Sequence, residues 1–360
     1  MTTAPAASRL LTALAGGEPD STPVWFMRQA GRYQPEYRAL RRRHGMLEIA
    51  NTPELAARVT VAPVRQYGVD AAILFSDIMV PLGPAGVSFE IQEGVGPVVA
   101  EPIRDAAGAA RIRDVDPARD LPQVLEAVER SVAALAGVPL IGFAGAPFTL
   151  ASYLIEGRPS RQYAETKRLM WADPGLWDTL MNQLVRVVGA HLAAQVRAGA
   201  RALQVFDSWA GALALGDYEA SVAPHMRALF AELRALSVPV IYFAVGAGHL
   251  ASAMAATGPT ALGVDWREPV SQVRRRLPPG MPVQGNLDPV ALLAPWPDVA
   301  RQARAVLADA GRRGFVFNLG HGILPPTDPA AVARLVELVH AETQSPGSKA
   351  GPVVKRGTGA

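Results

Sequence analysis

The chain has 360 residues, 49% hydrophobic and 19% charged, an ordinary globular composition that can bury a large core in one α/β barrel or in two or three smaller domains. It has no cysteine, which excludes disulfides, thiolate zinc sites, iron–sulfur clusters and cysteine nucleophiles and fits a reducing compartment. The formal charge of +3 comes from the last sixteen residues, which hold Lys349, Lys355 and Arg356 and no acid; without them basic and acidic side chains are equal in number, so nucleic-acid binding has no support.

Residues 9–16, RLLTALAG, have the look of a short export-signal core. The basic region before them is thin and GEPDSTP follows directly, so an amphipathic turn with Leu10, Leu11 and Leu14 on one face is the better reading. Residues 1–20 then form an N-terminal extension. Eight short apolar runs bounded by Pro, Gly or Asp follow: Pro23–Met27, Ala71–Phe75, Val138–Phe143, Ala202–Phe206, Val238–Phe243, Ala261–Val264, Met281–Val283 and Gly314–Phe317. Helical periodicity fills the intervals at 53–67, 120–136, 174–199, 217–236, 296–311 and 328–342, the first opening with a Thr52 cap and Pro53. Residues 131–155 carry no charge and meet the length of a membrane span, but Gly137, Pro139, Gly142, Gly145 and Pro147 break them into a helix end, a strand and a loop. Strand and helix alternating eight times predict an α/β chain forming a single parallel (β/α)8 TIM barrel over residues 21–343, with a doubly wound open sheet as the rival. Residues 87–99, VSFEIQEGVGPVV, predict a β-hairpin inserted after the second strand. Residues 344–360 have little to bury and are expected to be disordered.

Polar residues collect where the strands end: Arg28 and Arg32, Ser76 and Asp77, Asp207 and Ser208, Asp265, Gln284 and Asn286, then Asn318 and His321. Barrel active sites lie at that rim, so one site built from many loops is expected. A carboxylate at Asp77, just past an apolar run, is costly unless something cationic or hydrogen-bonding meets it. Arg28 and Arg32 can grip carboxylates in bidentate fashion. One acid and two arginines at an apolar cavity suit a large ligand that is both anionic and N–H rich. The plainer alternatives are a turn or cap role for Asp77, surface ion pairs for the arginines, and core or rim hydroxyls for Tyr153 and Ser208. Phe75, Phe143 and Phe148 are expected to line the pocket or core. His44, His191, His225, His249 and His340 read as structural, and Asp207, Asp265 and Asn286 as braces of the rim. Only three lysines occur, two of them in the tail, so a Schiff-base mechanism would rest on Lys167.

The segments WFMRQAGRYQPEYR, AAILFSDIMVP, GFAGAPFTLASYLIEG, QVFDSWAG, QGNLDP and FNLGHGILPPTDP, in this order, resemble the uroporphyrinogen decarboxylase family from about Thr22 to His340. The resemblance implies a (β/α)8 barrel acting as a cytoplasmic homodimer, without cofactor or metal and with no nucleic-acid or membrane partner. It implies decarboxylation of the four acetates of uroporphyrinogen III to methyls, giving coproporphyrinogen III in haem and porphyrin biosynthesis. Carried over by position, the substrate-binding residues are Arg28, Gln29, Ala30, Gly31, Arg32, Asp77, Tyr153, Ser208 and His321, with Asp77, Arg28 and Arg32 catalytic. Gln34 stands where an apolar residue is common in the family, and EGRPSRQY replaces a loop richer in glycine and serine. Such a reaction needs an electron sink, and the pyrrole itself can serve once its α-carbon is protonated. Two alternatives remain. A related barrel methyltransferase would activate a thiol with zinc held by cysteines, and a non-catalytic tetrapyrrole carrier would need the cavity without a placed carboxylate.

Overall fold

The computed structural model describes residues 8–92 and 94–345. The apolar runs become strands: β1 Ala72–Ile73, β4 Leu140–Gly145, β5 Ala202–Phe206, β6 Val240–Phe243, β7 Ala261–Gly263, β8 Val283–Leu287 and β9 Phe315–Leu319, with β2 Phe89–Gln92 and β3 Gly96–Val99 apart from them. Seven of them form one curled parallel sheet in the order β1-β4-β5-β6-β7-β8-β9. Every residue of β4, β8 and β9 is buried, as expected of parallel strands covered on both faces.

The first apolar run makes a single bridge, Val24 to Phe317, rather than a strand. Its backbone nevertheless bonds to β9 on one side and to Asp70, two residues before β1, on the other. Trp25 N donates to Phe317 O (3.3 Å), Phe317 N to Pro23 O (2.8 Å) and Asp70 N to Val24 O (2.8 Å). Within the stretch expected to form a hairpin, β2 and β3 pair antiparallel, Phe89 opposite Val99 and Gln92 opposite Gly96.

Helices cover the sheet close to their expected places. The longest, Pro174–Arg197, starts where the Asp173 carboxylate accepts Leu176 N and proline sits in the first turn. The region 217–236, expected as one helix, is two: Leu215–Ser221 and Ala223–Arg234. Pro224 has no N–H to carry the ladder across and belongs in a first turn. Thr52 precedes the helix Pro53–Tyr67 but does not cap it; its hydroxyl turns back to Glu48 O (2.8 Å). At the N-terminus, Leu10 and Leu14 of the helix Arg9–Leu14 are buried and Leu11 is half-buried. No helix among the described residues is long and apolar enough to cross a membrane.

Two departures from the expected strands shape the site. β1 ends at Ile73 instead of Phe75, and the chain then peels away from the sheet. The groups left without a strand partner are met from helices. Thr60 Oγ1 accepts Phe75 N (2.9 Å), while Gln195 bonds both the N–H and the carbonyl of Phe143 (3.0 Å each). Gly142 makes room for this, because a Cβ there would lie 2.8 Å from Gln195 Oε1. The last two strands run longer than their apolar cores suggest. Gln284, Asn286 and Asn318, expected at strand ends, lie inside β8 and β9 and are buried. Gln284 accepts from Trp25 Nε1 (2.9 Å) and donates to Gln204 Oε1 (3.1 Å), while Gln204 Nε2 and Asn318 Nδ2 find no partner among the described residues.

Candidate active site

Arg28 sits on a tightly held loop with a left-handed backbone, φ 59°. That conformation costs a residue with a Cβ about 1–2 kcal/mol, and the surrounding bonds enforce it. Gln29 is buried and fully committed: its Oε1 accepts Phe26 N (3.1 Å) and its Nε2 donates to Ala71 O (3.0 Å). Tyr33 OH donates to Gln29 O (2.7 Å), Gln34 Oε1 accepts Gly31 N (3.1 Å), and Asn318 Oδ1 accepts Met27 N (3.2 Å). Gln34 is thus a buried brace, also bonded to Gln66 and Tyr67. The Arg28 stem runs over Gly322, where a Cβ would come within 2.7 Å of Arg28 Cγ. Gly320, on the other side of His321, has Trp266 N 2.5 Å from its Cβ position, so backbone crowds Gly320 whereas an arginine side chain crowds Gly322. Ala30 and Gly31 are half-buried, and Arg32 is exposed.

Asp77 follows the point where β1 peels off. Its Oδ1 accepts Met79 N (2.9 Å), and among the described residues no ion pair holds it. Lost solvation raises its pKa; the Met79 N–H and the positive charge of Arg28 pull the other way without overcoming it. The Arg28 guanidinium is lowered, first by lost solvation and then by Arg32, while Tyr153 and Asp77 oppose. The Tyr153 phenol is raised by burial and by the Asp77 charge. His321 falls to about 4, through burial and then Arg28. Its Nδ1 accepts Gly322 N (2.6 Å), so the neutral ring carries its proton on Nε2.

Arg28 is exposed, and Asp77, Tyr153 and His321 are half-buried, yet all four are perturbed chiefly by lost solvation. Groups that touch solvent while protein surrounds them lie on the wall of an open recess. Behind His321 aromatic rings pack edge to face into the core, Phe243 to His321 (6.2 Å), Phe206 to Phe243 (6.1 Å) and Phe143 to Phe206 (5.6 Å). Phe75 packs on Tyr37 (5.4 Å), while Phe148 lies in the core against Trp177 (6.1 Å). Ser208 is half-buried, and its hydroxyl makes no hydrogen bond among the described residues.

The expected braces are present. Asp207 is buried and accepts Thr149 Oγ1 and Tyr242 OH, both at 2.7 Å. Asp265 pairs with Arg267 (2.6 Å) and accepts Gly246 N, and Asn286 donates to the carbonyls of Asp265 (2.9 Å) and Glu268 (2.7 Å). Lys167 donates to Ala212 O (2.7 Å). Among the described residues no three His, Cys, Asp or Glu side chains gather as a metal site. The sequence reading passed over Trp209, Tyr163 and Arg267. Trp209 stacks on Tyr153 (4.0 Å between ring centres) and touches Tyr163 (5.1 Å), while the Arg267 charge acts on His321. In the sequence Trp209 directly follows Ser208, and Arg267 lies two residues beyond Asp265.

The family model described as uroporphyrinogen decarboxylase (URO-D) matches residues 5–342. A uroporphyrinogen decarboxylase of Mycobacterium marinum is 53% identical over 343 residues, covering 92% of this chain and 97% of the relative. One from Thermobifida fusca is 54% identical over 323 residues, 89% of each chain. Among solved structures, a methyltransferase from Methanosarcina mazei superposes with a TM-score of 0.72 at 20% identity, over 93% of this chain and 98% of that one, which is a likeness of fold.

Proposed function

The chain belongs to the uroporphyrinogen decarboxylase family, and from that premise we propose how its residues carry the reaction. The enzyme is a carboxy-lyase of porphyrin biosynthesis that converts the four acetate side chains of uroporphyrinogen III to methyls, giving coproporphyrinogen III. For each acetate, a proton adds to the α-carbon of the pyrrole and leaves an iminium-like ring cation. The bond to the carboxylate then breaks, its electron pair flows into the ring, and carbon dioxide departs. A second protonation makes the methyl group, and loss of the first proton restores the pyrrole.

Asp77 offsets the ring cation and accepts hydrogen bonds from pyrrole N–H groups. Its carboxylate is short of solvation and holds no ion pair among the described residues, so it gains more from a ring cation than a well-paired acid would. A charge about 4 Å away at an effective dielectric near 20 is worth roughly 4 kcal/mol, about three decades of rate if felt only in the transition state. Arg28 and Arg32 bind substrate carboxylates. Arginine is a poor proton donor, since its pKa lies above about 12. His321 is neutral at neutral pH and offers its Nε2–H to a propionate. Tyr153 and Ser208 orient the substrate or Asp77. The electrostatic influence of Arg28 on Asp77, Tyr153 and His321, which brings these groups near one another, supports this reading.

Finer structural features follow the same reading. Pro23–Trp25 serves as the eighth stave of a (β/α)8 barrel, supported by its bonds to β9 and to Asp70 just before β1, and β2–β3 is an insertion after β1. The enzyme works as a homodimer in the cytoplasm, as its family resemblance suggests, without a cofactor. Anaerobic incubation with uroporphyrinogen tests the activity: carbon dioxide and stepwise less carboxylated products are expected. Binding without product would mark a tetrapyrrole carrier, and stoichiometric zinc in the purified protein would favour the methyltransferase reading.

A further inference from the structure

Four side chains close a ring beside the recess. Thr149 and Tyr153 lie four residues apart on the helix Pro147–Glu156, hence on neighbouring turns of one face. Thr149 Oγ1 donates to Asp207 Oδ1 (2.7 Å) and accepts Trp209 N (3.3 Å). The other Asp207 oxygen accepts Tyr242 OH (2.7 Å), which in turn meets Tyr218 OH (3.2 Å). Asp207 is fully buried, with hydroxyls rather than a cation as side-chain partners, an expensive arrangement to retain for stability alone. What it fixes is the loop after β5, and with it the Trp209 ring, packed between Tyr153 and Tyr163. The Tyr153 hydroxyl makes no hydrogen bond among the described residues, so ring contact is what orients the phenol.

We propose that Thr149 and Asp207 are positioning residues that clamp Trp209 against Tyr153 and thereby aim the Tyr153 phenol at the Asp77 end of the recess. This rests on the reading of Tyr153 as a substrate-orienting group. A displacement of about 1 Å at a reacting centre can cost about a hundredfold in rate, so a loosened Trp209 registers in kcat.

The test is a set of variants assayed on uroporphyrinogen. Thr149→Val is expected to lower kcat about tenfold with KM within about twofold, and Thr149→Ser to restore it. Thr149→Val combined with Tyr153→Phe should be no slower than Tyr153→Phe alone, because both disable the same group. Trp209→Leu removes the ring contact while leaving the Asp207 bonds intact. It should give the same non-additive loss and keeps the test open if Thr149→Val does not fold. The near-UV circular dichroism band assigned by Trp209→Phe should shift in Thr149→Val. Losses that multiply in the double variants would overturn the proposal. A Tyr153→Phe enzyme at full rate would also end it, by a different route, since it removes Tyr153 from the site itself.

Discussion

Asp70 and Asp77 bracket the same short strand, β1, and their surroundings are opposite. Asp70 is saturated: Arg9 meets one oxygen (3.2 Å), and His340 (2.7 Å) and Val24 N (2.8 Å) meet the other. These bonds tie the N-terminal helix, the first apolar run and the C-terminal helix Pro329–Thr343 to one point. Asp77 has a single backbone N–H and a raised pKa. Equal residue types seven positions apart thus divide the work. At the N-terminal end of the strands the charge is used up in holding the fold, and at the C-terminal end it is left available.

Replacing each acid by an uncharged residue is the most direct way to break this contrast. Asp77→Asn should lower kcat by about a thousandfold, read by product formation under anaerobic conditions. The same variant should melt no earlier than the parent. An acid whose pKa is raised on folding loses stability as pH rises through its titration, so removing its charge relieves a cost. Asp70→Ala should do the reverse. We expect a loss of about 2 kcal/mol in urea unfolding, as for a charge-assisted hydrogen-bond acceptor removed from half-buried partners, with kcat/KM of the folded enzyme within about twofold. A thousandfold loss of turnover in the Asp70 variant would erase the division between the two ends.

Smaller effects sharpen the contrast within the upper end. Arg28→Met should cost kcat/KM more than tenfold, about the value of one charge-assisted hydrogen bond, and Arg32→Met only a few-fold, because the Arg28 stem is locked over Gly322 and its charge acts on Asp77 and Tyr153. Equal losses would mean that loop rigidity contributes nothing. The mildest effect is in acid. His321 titrates near 4 in the fold against an ordinary 6.5, so the unfolded chain takes up its proton first and stability falls as pH drops from about 6.5 towards 4. An NMR titration should find that midpoint, and His321→Asn should flatten this part of the pH–stability curve.

Much of this was legible from local pattern. The apolar runs gave all seven strands of the main sheet, and prolines and aspartates marked helix starts at Pro53, Pro174 and Pro329. A carboxylate just past a buried run drew attention to Asp77, which among the described residues has no ion pair. Local pattern failed where a distant segment supplied the partner. Phe75 reads as strand, yet its N–H goes to Thr60, and Gln284 reads as a strand end, yet Trp25 and Gln204 hold it inside. Gln29, in the loop expected to bind substrate, spends its side chain on backbone groups of Phe26 and Ala71.

The sequence by itself determined the alternation of strand and helix, the family, and which strand ends carry charge, because periodicity and motif are properties of neighbouring residues. Only the tertiary structure decided that Asp70 is neutralised while Asp77 is not, that Arg28 takes a left-handed turn over Gly322, and that Trp209 leans on Tyr153. Each of these joins residues far apart in the chain, and solvation and contact exist only once those segments have met.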